Sequence, residues 1–205
     1  KADGSIVAWG INLSGQCSVP APNTGFVAVA GGEAHSVGLK ADGSIVAWGY
    51  NAFGQCTVPG PNVAFAAIAG GQEHTLGLKA DGSIVAWGLN GNGQCNVPGP
   101  NTGFIALAGG DAHSLGLKVG GSIVAWGDNG HGQCNVPTPN TGFTEVAAGS
   151  GHSFGLRAAV PIVAWGWDGN GQSTVPEPNT QFVSVSGGFI HSLGLKVDGS
   201  IAAWG

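Results

Sequence analysis

The chain has little charge, no methionine, a single tyrosine and no long apolar run. Charged residues make up 8% of its 205 positions, against roughly 25% in an ordinary soluble domain. Its polar surface must therefore come from Asn, Gln, Ser and Thr. No stretch approaches the ~20 apolar residues of a membrane-spanning helix, so no membrane insertion is expected. The only cations, Lys1, Lys40, Lys79, Lys118, Arg157 and Lys196, share one sequence slot beside a turn, and the net charge is −5. Nucleic-acid binding needs Lys and Arg clustered to neutralise phosphates. That partner class is not expected. Cys-x-x-Cys pairs are also missing, and Cys17, Cys56, Cys95 and Cys134 fall 39 residues apart in one slot. Equivalent positions on successive units lie beyond the ~4.4–6.8 Å Cα separation a disulfide requires, and the spacing suits no zinc site. The cysteines read as small buried fillers, and neither a metal nor a cofactor is expected.

What the chain does have is a period. Tryptophans stand at Trp9, Trp48, Trp87, Trp126, Trp165 and Trp204, and histidines at His35, His74, His113, His152 and His191. Self-similarity at this length marks a solenoid, a propeller or another array. The whole of residues 1–205 reads as one tandem-repeat domain, with periods beginning near residues 10, 49, 88, 127 and 166. The sequence begins in mid-repeat and stops at the same point of a later one, so it reads as a segment of a longer protein or a trimmed product. Within one period, an apolar run (Phe65–Ala69) ends at Gly70-Gly71. His74–Lys79 follows, then the hairpin signal Asp81-Gly82, then the run Ser83–Gly88. A last short strand is expected over Gly93–Val97. Four short antiparallel strands per period are the blade of an all-β propeller. A linear β-helix, with parallel rungs, does not accommodate the Asp-Gly hairpins. Five periods plus a ten-residue overlap leave one SIVAWG strand redundant. The expected outcome is an open arc, a trimmed larger ring or strand pairing between molecules, in preference to a sealed five-blade ring. Blades so alike can also exchange partners, so self-association through blade exchange is a further expectation.

The repeated string G-G-x-x-H-S-L-G-L-K-x-D-G-S-I-V-A-W-G-x-N-x-x-G-Q-C-x-V-P resembles the repeats of the regulator of chromosome condensation family. It is most similar to the short-repeat bacterial branch that contains β-lactamase inhibitory protein II. The resemblance covers essentially the whole chain. It implies a seven-bladed ring as the family norm, and protein binding through the loops of one face. It carries the expectation of a bacterial protein located outside the cell or at the cell surface.

A residue present in every copy is most simply explained by the blade itself, so function is sought where the copies differ. This assigns the five periodic histidines to buried, hydrogen-bonded positions. Two segments vary: the one after Ala-Trp-Gly, and the pair between Gly-Gly and His. Both are expected at one rim, since one follows the third strand and the other precedes the antiparallel second. They supply the candidate binding residues Tyr50, Phe53, Asp111, Asp128, His131, Trp167, Asp168 and Phe189. Trp167 and Phe189 are expected to form one apolar patch bordered by Asp128 and Asp168. Aromatics on a rigid scaffold suit a protein interface, and the expected function is recognition of another protein, with an inhibitor-like role. The alternative is a structural or adhesive extracellular array. A hydrolase or lyase is the third reading and has the least support, because no nucleophile–base pair is evident. No catalytic residue is assigned.

Overall fold

The computed structural model describes residues 1–157 and 160–205. Among these there is no helix, and fifteen strands form five antiparallel three-stranded sheets. The first blade is β1 (Phe26–Gly31), β2 (His35–Lys40) and β3 (Ile45–Gly49); the second is β4 (Phe65–Gly70), β5 (His74–Lys79) and β6 (Ile84–Gly88). The third is β7 (Phe104–Gly109), β8 (His113–Lys118) and β9 (Ile123–Gly127). The fourth is β10 (Phe143–Ala148), β11 (His152–Arg157) and β12 (Val160–Gly166), and the fifth β13 (Phe182–Gly187), β14 (Ser192–Lys196) and β15 (Ile201–Trp204). First strands of successive blades pack on one another, β1 on β4, β4 on β7, β7 on β10 and β10 on β13. They form the inner ring of the arc. Glycine there is a steric requirement: a Cβ at Gly70 would stand 2.6 Å from the Gly31 carbonyl oxygen of the neighbouring blade.

The core lies between blades. Leu76, Leu78 and Ile84 of the second blade pack against Phe104 and Trp126 of the third, and the other interfaces repeat the arrangement. A polar clasp accompanies each one. The main-chain carbonyl of Gln94 accepts the Ser114 hydroxyl at 2.9 Å and the Trp126 indole N–H at 2.8 Å. Gln16, Gln55, Gln133 and Gln172 do the same for Ser36 and Trp48, Thr75 and Trp87, Ser153 and Trp165, and Ser192 and Trp204. His35, His74, His113 and His152 are buried and bond through Nε2 to the next blade's Thr75, Ser114, Ser153 and Ser192 at 2.9–3.2 Å. The fifth histidine departs from expectation: His191, on the last blade, has no following hydroxyl to meet and is exposed.

The expected fourth strand is not formed. Residues 93–97 form no strand: Gly93–Cys95 are bend and turn, Asn96 N donates to Gly93 O and Val97 N to Cys95 O. The outer edge of the third strand is met by side chains instead. Asn62 accepts from Ile45 N and donates to Ile45 O, both at 2.8 Å, and Asn101, Asn140 and Asn179 repeat this on Ile84, Ile123 and Ile162. A side-chain amide can stand in for a strand because it carries the same donor and acceptor as a peptide group.

The cysteines also need correction. All four are free and only half-buried, and each thiol donates to the carbonyl six residues earlier, at 3.1–3.3 Å. Ser173 makes the same bond to Trp167 O in the fifth copy. They are loop-closing donors as well as fillers.

Among the described residues no sheet joins the first blade to the last. Residues 5–10 are not in a strand, and Trp9 is 84% exposed. Leu193, Leu195 and Ile201 are exposed too, where their counterparts Leu115, Leu117 and Ile123 are buried. The arc is open, as the redundant strand implied.

Three outcomes follow from this packing. Trp126→Ala removes a buried indole and its bond to Gln94 O, and should cost about 3–5 kcal/mol in chemical denaturation. A loss below about 1 kcal/mol would contradict the inter-blade core. Burial lowers the pKa of His35, His74, His113 and His152 from 6.5 to about 4. The unfolded chain therefore binds protons below pH 6.5 while the folded one refuses them until about 4. Stability should be flat above 6.5 and fall across that window, as Tm against pH will read. The hairpin residues Asp42, Asp81 and Asp198 have pKa values lowered by bonds from Ser44, Ser83 and Ser200, and these contribute only below 3.8. A Tm unchanged down to about pH 4.5 would refute the assignment. Third, burial pushes the thiols of Cys95 and Cys134 up to about 11 and raises Cys56, so little thiolate forms at neutral pH. An alkylating reagent should label these three slowly until denaturant is added; fast labelling of the folded protein would overturn the reading.

Candidate functional site: the loop face

The loop after each third strand follows one plan. Cys56 N donates to Asn51 Oδ1 at 2.8 Å, Phe53 N to Gln55 Oε1 at 3.0 Å, and the Cys56 thiol to Tyr50 O at 3.2 Å. Corresponding bonds hold the loops around Asn12, Asn90 and Asn129. In the fifth copy Asp168 occupies the Asn slot and accepts from Ser173 N and Thr174 Oγ1, both at 2.7 Å. The fixed residues thus make a rigid frame, and the other positions are free to vary. The second variable segment lies alongside. Tyr50 N donates to Ala34 O, Leu89 N to Glu73 O, Asp128 N to Ala112 O and Trp167 N to Gly151 O, each at 2.8 Å. Both variable segments therefore share one face of the arc.

The candidate residues separate into two zones. On the outer rim, half-buried Tyr50 meets exposed Phe53 edge-on within one loop, ring centroids 6.1 Å apart at 71°. Exposed His131 stacks on half-buried Trp167 of the next loop, at 5.5 Å and 26°. The pair covers Gly151; a Cβ there would lie 3.5 Å from both His131 Cδ2 and Trp167 Cβ. No other copy has glycine in that slot. Asp128 accepts from the Gln133 side-chain amide at 2.7 Å and from Gly130 N at 3.3 Å. Asp128 and Asp168 thus brace their own loops, and only their remaining lone pairs face outward.

Asp111 and Phe189 lie in the second zone, at the axis. Trp167 stacks on His131 of the preceding loop, and Phe189 lines the axial concavity. The axial concavity, about 270 Å³, is walled by the ends of the five inner strands, Gly-Gly in four blades and Ala148-Gly149 in the fourth blade, and by Glu33, Gln72, Asp111, Ser150 and Phe189. The Ser150 hydroxyl donates to the Asp111 carboxylate. Main-chain bonds of 3.2 Å link the zone blade to blade: Glu33 N to Gln72 O, Gln72 N to Gly110 O, Asp111 N to Ser150 O and Ser150 N to Gly188 O. Glu33, Gln72 and Ser150 share the Asp111 and Phe189 slot in the variable pair between Gly-Gly and His, and all five side chains reach the concavity.

The cations are confined to one face, whereas carboxylates occur on both. Glu33, Glu73, Asp111, Asp128 and Asp168 all lie in the loop-face segments, and no Lys or Arg does. The cations sit at the opposite end of the second strands. Lys79 Nζ lies over the Phe65 ring at 3.8 Å and donates to Pro61 O at 3.0 Å, and Lys40 and Lys118 are held likewise. Among the described residues no group of three or more His, Cys, Asp or Glu could hold a metal ion. The arrangement is suited to recognition: rigid loops, two aromatic pairs and an acidic axial concavity.

Three stretches, residues 26–55, 65–94 and 104–133, match the regulator of chromosome condensation (RCC1) repeat. No curated protein matches the chain in sequence. Among solved structures it is similar to Prp20p from Saccharomyces cerevisiae, with TM-score 0.73 and 20% identity over 87% of this chain and 56% of that one. It is similar to the yeast RCC1 (Prp20) structure bound to Kap60, with TM-score 0.79 and 19% identity over 96% of this chain and 65% of that one. The ectodomain of the receptor kinase CR4 from Physcomitrella patens gives TM-score 0.78 and 25% identity over 96% and 55%. The chain thus spans only about 55–65% of the length of these structures. The three matched repeats and the blade architecture together give the chain an RCC1-like β-propeller fold.

Proposed function

We propose that this chain is a protein-binding propeller scaffold whose loop face is the working surface. The observation that carries the proposal is the gathering of every variable segment, with the Tyr50–Phe53 and His131–Trp167 pairs, on one face of a hydrogen-bonded frame. Interface hot spots are enriched in Trp and Tyr, which bury large area at low entropic cost. Similar folds support the class: Prp20p is described by its binding to Gsp1p and histones, and by a complex with Kap60. An inhibitor-like role, in which the face covers another protein's working site, is the finer form of the proposal. A bacterial, extracellular or cell-surface setting belongs with it. Catalysis is not part of the proposal, since four of the periodic histidines are buried and bonded between blades.

The test is quantitative capture by the immobilised chain from extracts of its source, followed by affinity measurement with the captured protein. Trp167→Ala should weaken binding by at least ~2 kcal/mol while leaving Tm near that of the parent. Asp42→Ala, on the opposite face, should bind as the parent does. Capture that survives Trp167→Ala, His131→Ala and Tyr50→Ala alike would sink the loop-face reading. The near-identity of DGSIVAWG at 3–10, 42–49 and 81–88 would then favour a structural or adhesive array.

A further inference from the structure

We infer that the axial concavity is a socket for one basic side chain of a protein partner, arginine in preference to lysine. The inference rests on the loop face being the binding surface and names what enters its centre. Three independent features point to a cation. The first is the sign of the lining: Glu33 and Asp111 reach the concavity, and no cation lies in any loop-face segment. The second is the main chain. The amides of Gly32, Gly71, Gly110, Gly149 and Gly188 donate to the carbonyls of His35, His74, His113, His152 and His191, and those of Glu33, Gln72, Asp111 and Ser150 donate to the next blade. Each of these N–H groups is taken, while a carbonyl oxygen that accepts one bond keeps a second lone pair. The wall therefore offers acceptors, which an anion cannot use and a guanidinium can. The third is the Phe189 ring, 65% exposed on one side of the concavity. A planar guanidinium stacks on an aromatic face while its edge donates to carboxylates.

Size supports a side chain as the occupant. At about 270 Å³, the concavity falls below the ~300–1,000 Å³ of pockets that hold free drug-sized ligands. Its open mouth lies on the same face as the rim aromatics, so a chain segment resting on Trp167 or Tyr50 could extend one side chain to the axis. The inter-blade bonds hold Glu33, Gln72, Asp111 and Ser150 in place before binding, and the Ser150 hydroxyl orients the Asp111 carboxylate. Preorganisation of this kind lowers the entropic cost of association. Specificity would then come from the five side chains after Gly-Gly, because the glycines themselves contribute only backbone.

The experiment titrates the isotope-labelled 205-residue chain with two short peptides, alike except that one carries arginine where the other carries uncharged, isosteric citrulline. Amide signals of Gly32, Glu33, Gly71, Gly110 and Asp111 should shift saturably with the arginine peptide and hardly at all with the citrulline one. Glu33→Gln combined with Asp111→Asn should weaken the arginine peptide about threefold or more, as loss of exposed ion pairs does, without lowering Tm. The socket is overturned if both peptides act alike, or if shifts spread to the hairpins of Asp42, Asp81 and Asp198. A silent axis with moving Trp167 and His131 signals also overturns it, and in that case the loop-face reading stands. The converse, axial shifts with a Trp167→Ala variant that captures as the parent does, would keep the socket and remove the rim from the interface.

Discussion

One main-chain carbonyl per period, that of Gln16, Gln55, Gln94, Gln133 and Gln172, holds the array together. Each accepts a hydroxyl and an indole N–H from the blade that follows. An indole N–H placed in a core must find a partner, and a buried one left alone costs about 1–3 kcal/mol. The Gln carbonyl meets that need from outside the blade, so a tryptophan can fill the inter-blade space only where the preceding loop has arrived. The same loop then carries the variable residues, and its position over the next blade is what stacks His131 on Trp167.

Structure and recognition are interleaved here at single-residue resolution. In Gly49-Tyr50-Asn51-Ala52-Phe53-Gly54-Gln55-Cys56, the Asn, Gln and Cys side chains satisfy the loop backbone. The residues between them make no bond that the loop needs through their side chains. Variation at Tyr50, Ala52 and Phe53 therefore costs the blade little, which explains why the same slots hold Leu89, Gly91 and Asn92, or Trp167, Gly169 and Asn170, in other copies. Asp168 shows the limit of reading such a loop by charge: its carboxylate stands in for an asparagine amide oxygen and is engaged before any partner arrives.

Much of the fold is legible in the sequence. The strand His74–Lys79 and the run to Gly88 follow from the Asp81-Gly82 hairpin and the apolar patterning, and match β5 and β6 closely. Residues 93–97 mislead because their short polar–apolar alternation looks like an edge strand. The edge is in fact met by Asn101 acting on Ile84 from 17 residues away, and nothing local signals such a bond. The shared rim of the two variable segments is legible too, since antiparallel pairing dictates it. The ring partners are not. That Trp167 stacks on His131 depends on how two loops of neighbouring blades lie side by side, and no local pattern signals it.

The Gln clasp has a consequence for how such a chain can grow. Because each loop caps the blade after it, the structural unit is out of step with any cut made at a strand boundary. A duplication of 39 residues supplies one new blade and one new cap wherever in the period the break falls, since the carbonyl recognises only a Ser or Thr and a Trp that every copy possesses. Each added blade thus brings its own inter-blade interface, so blades can be added or shed one at a time while the face keeps its geometry. Each added unit brings one new residue to the axis and a few to the rim, so the recognition surface can be revised one blade at a time.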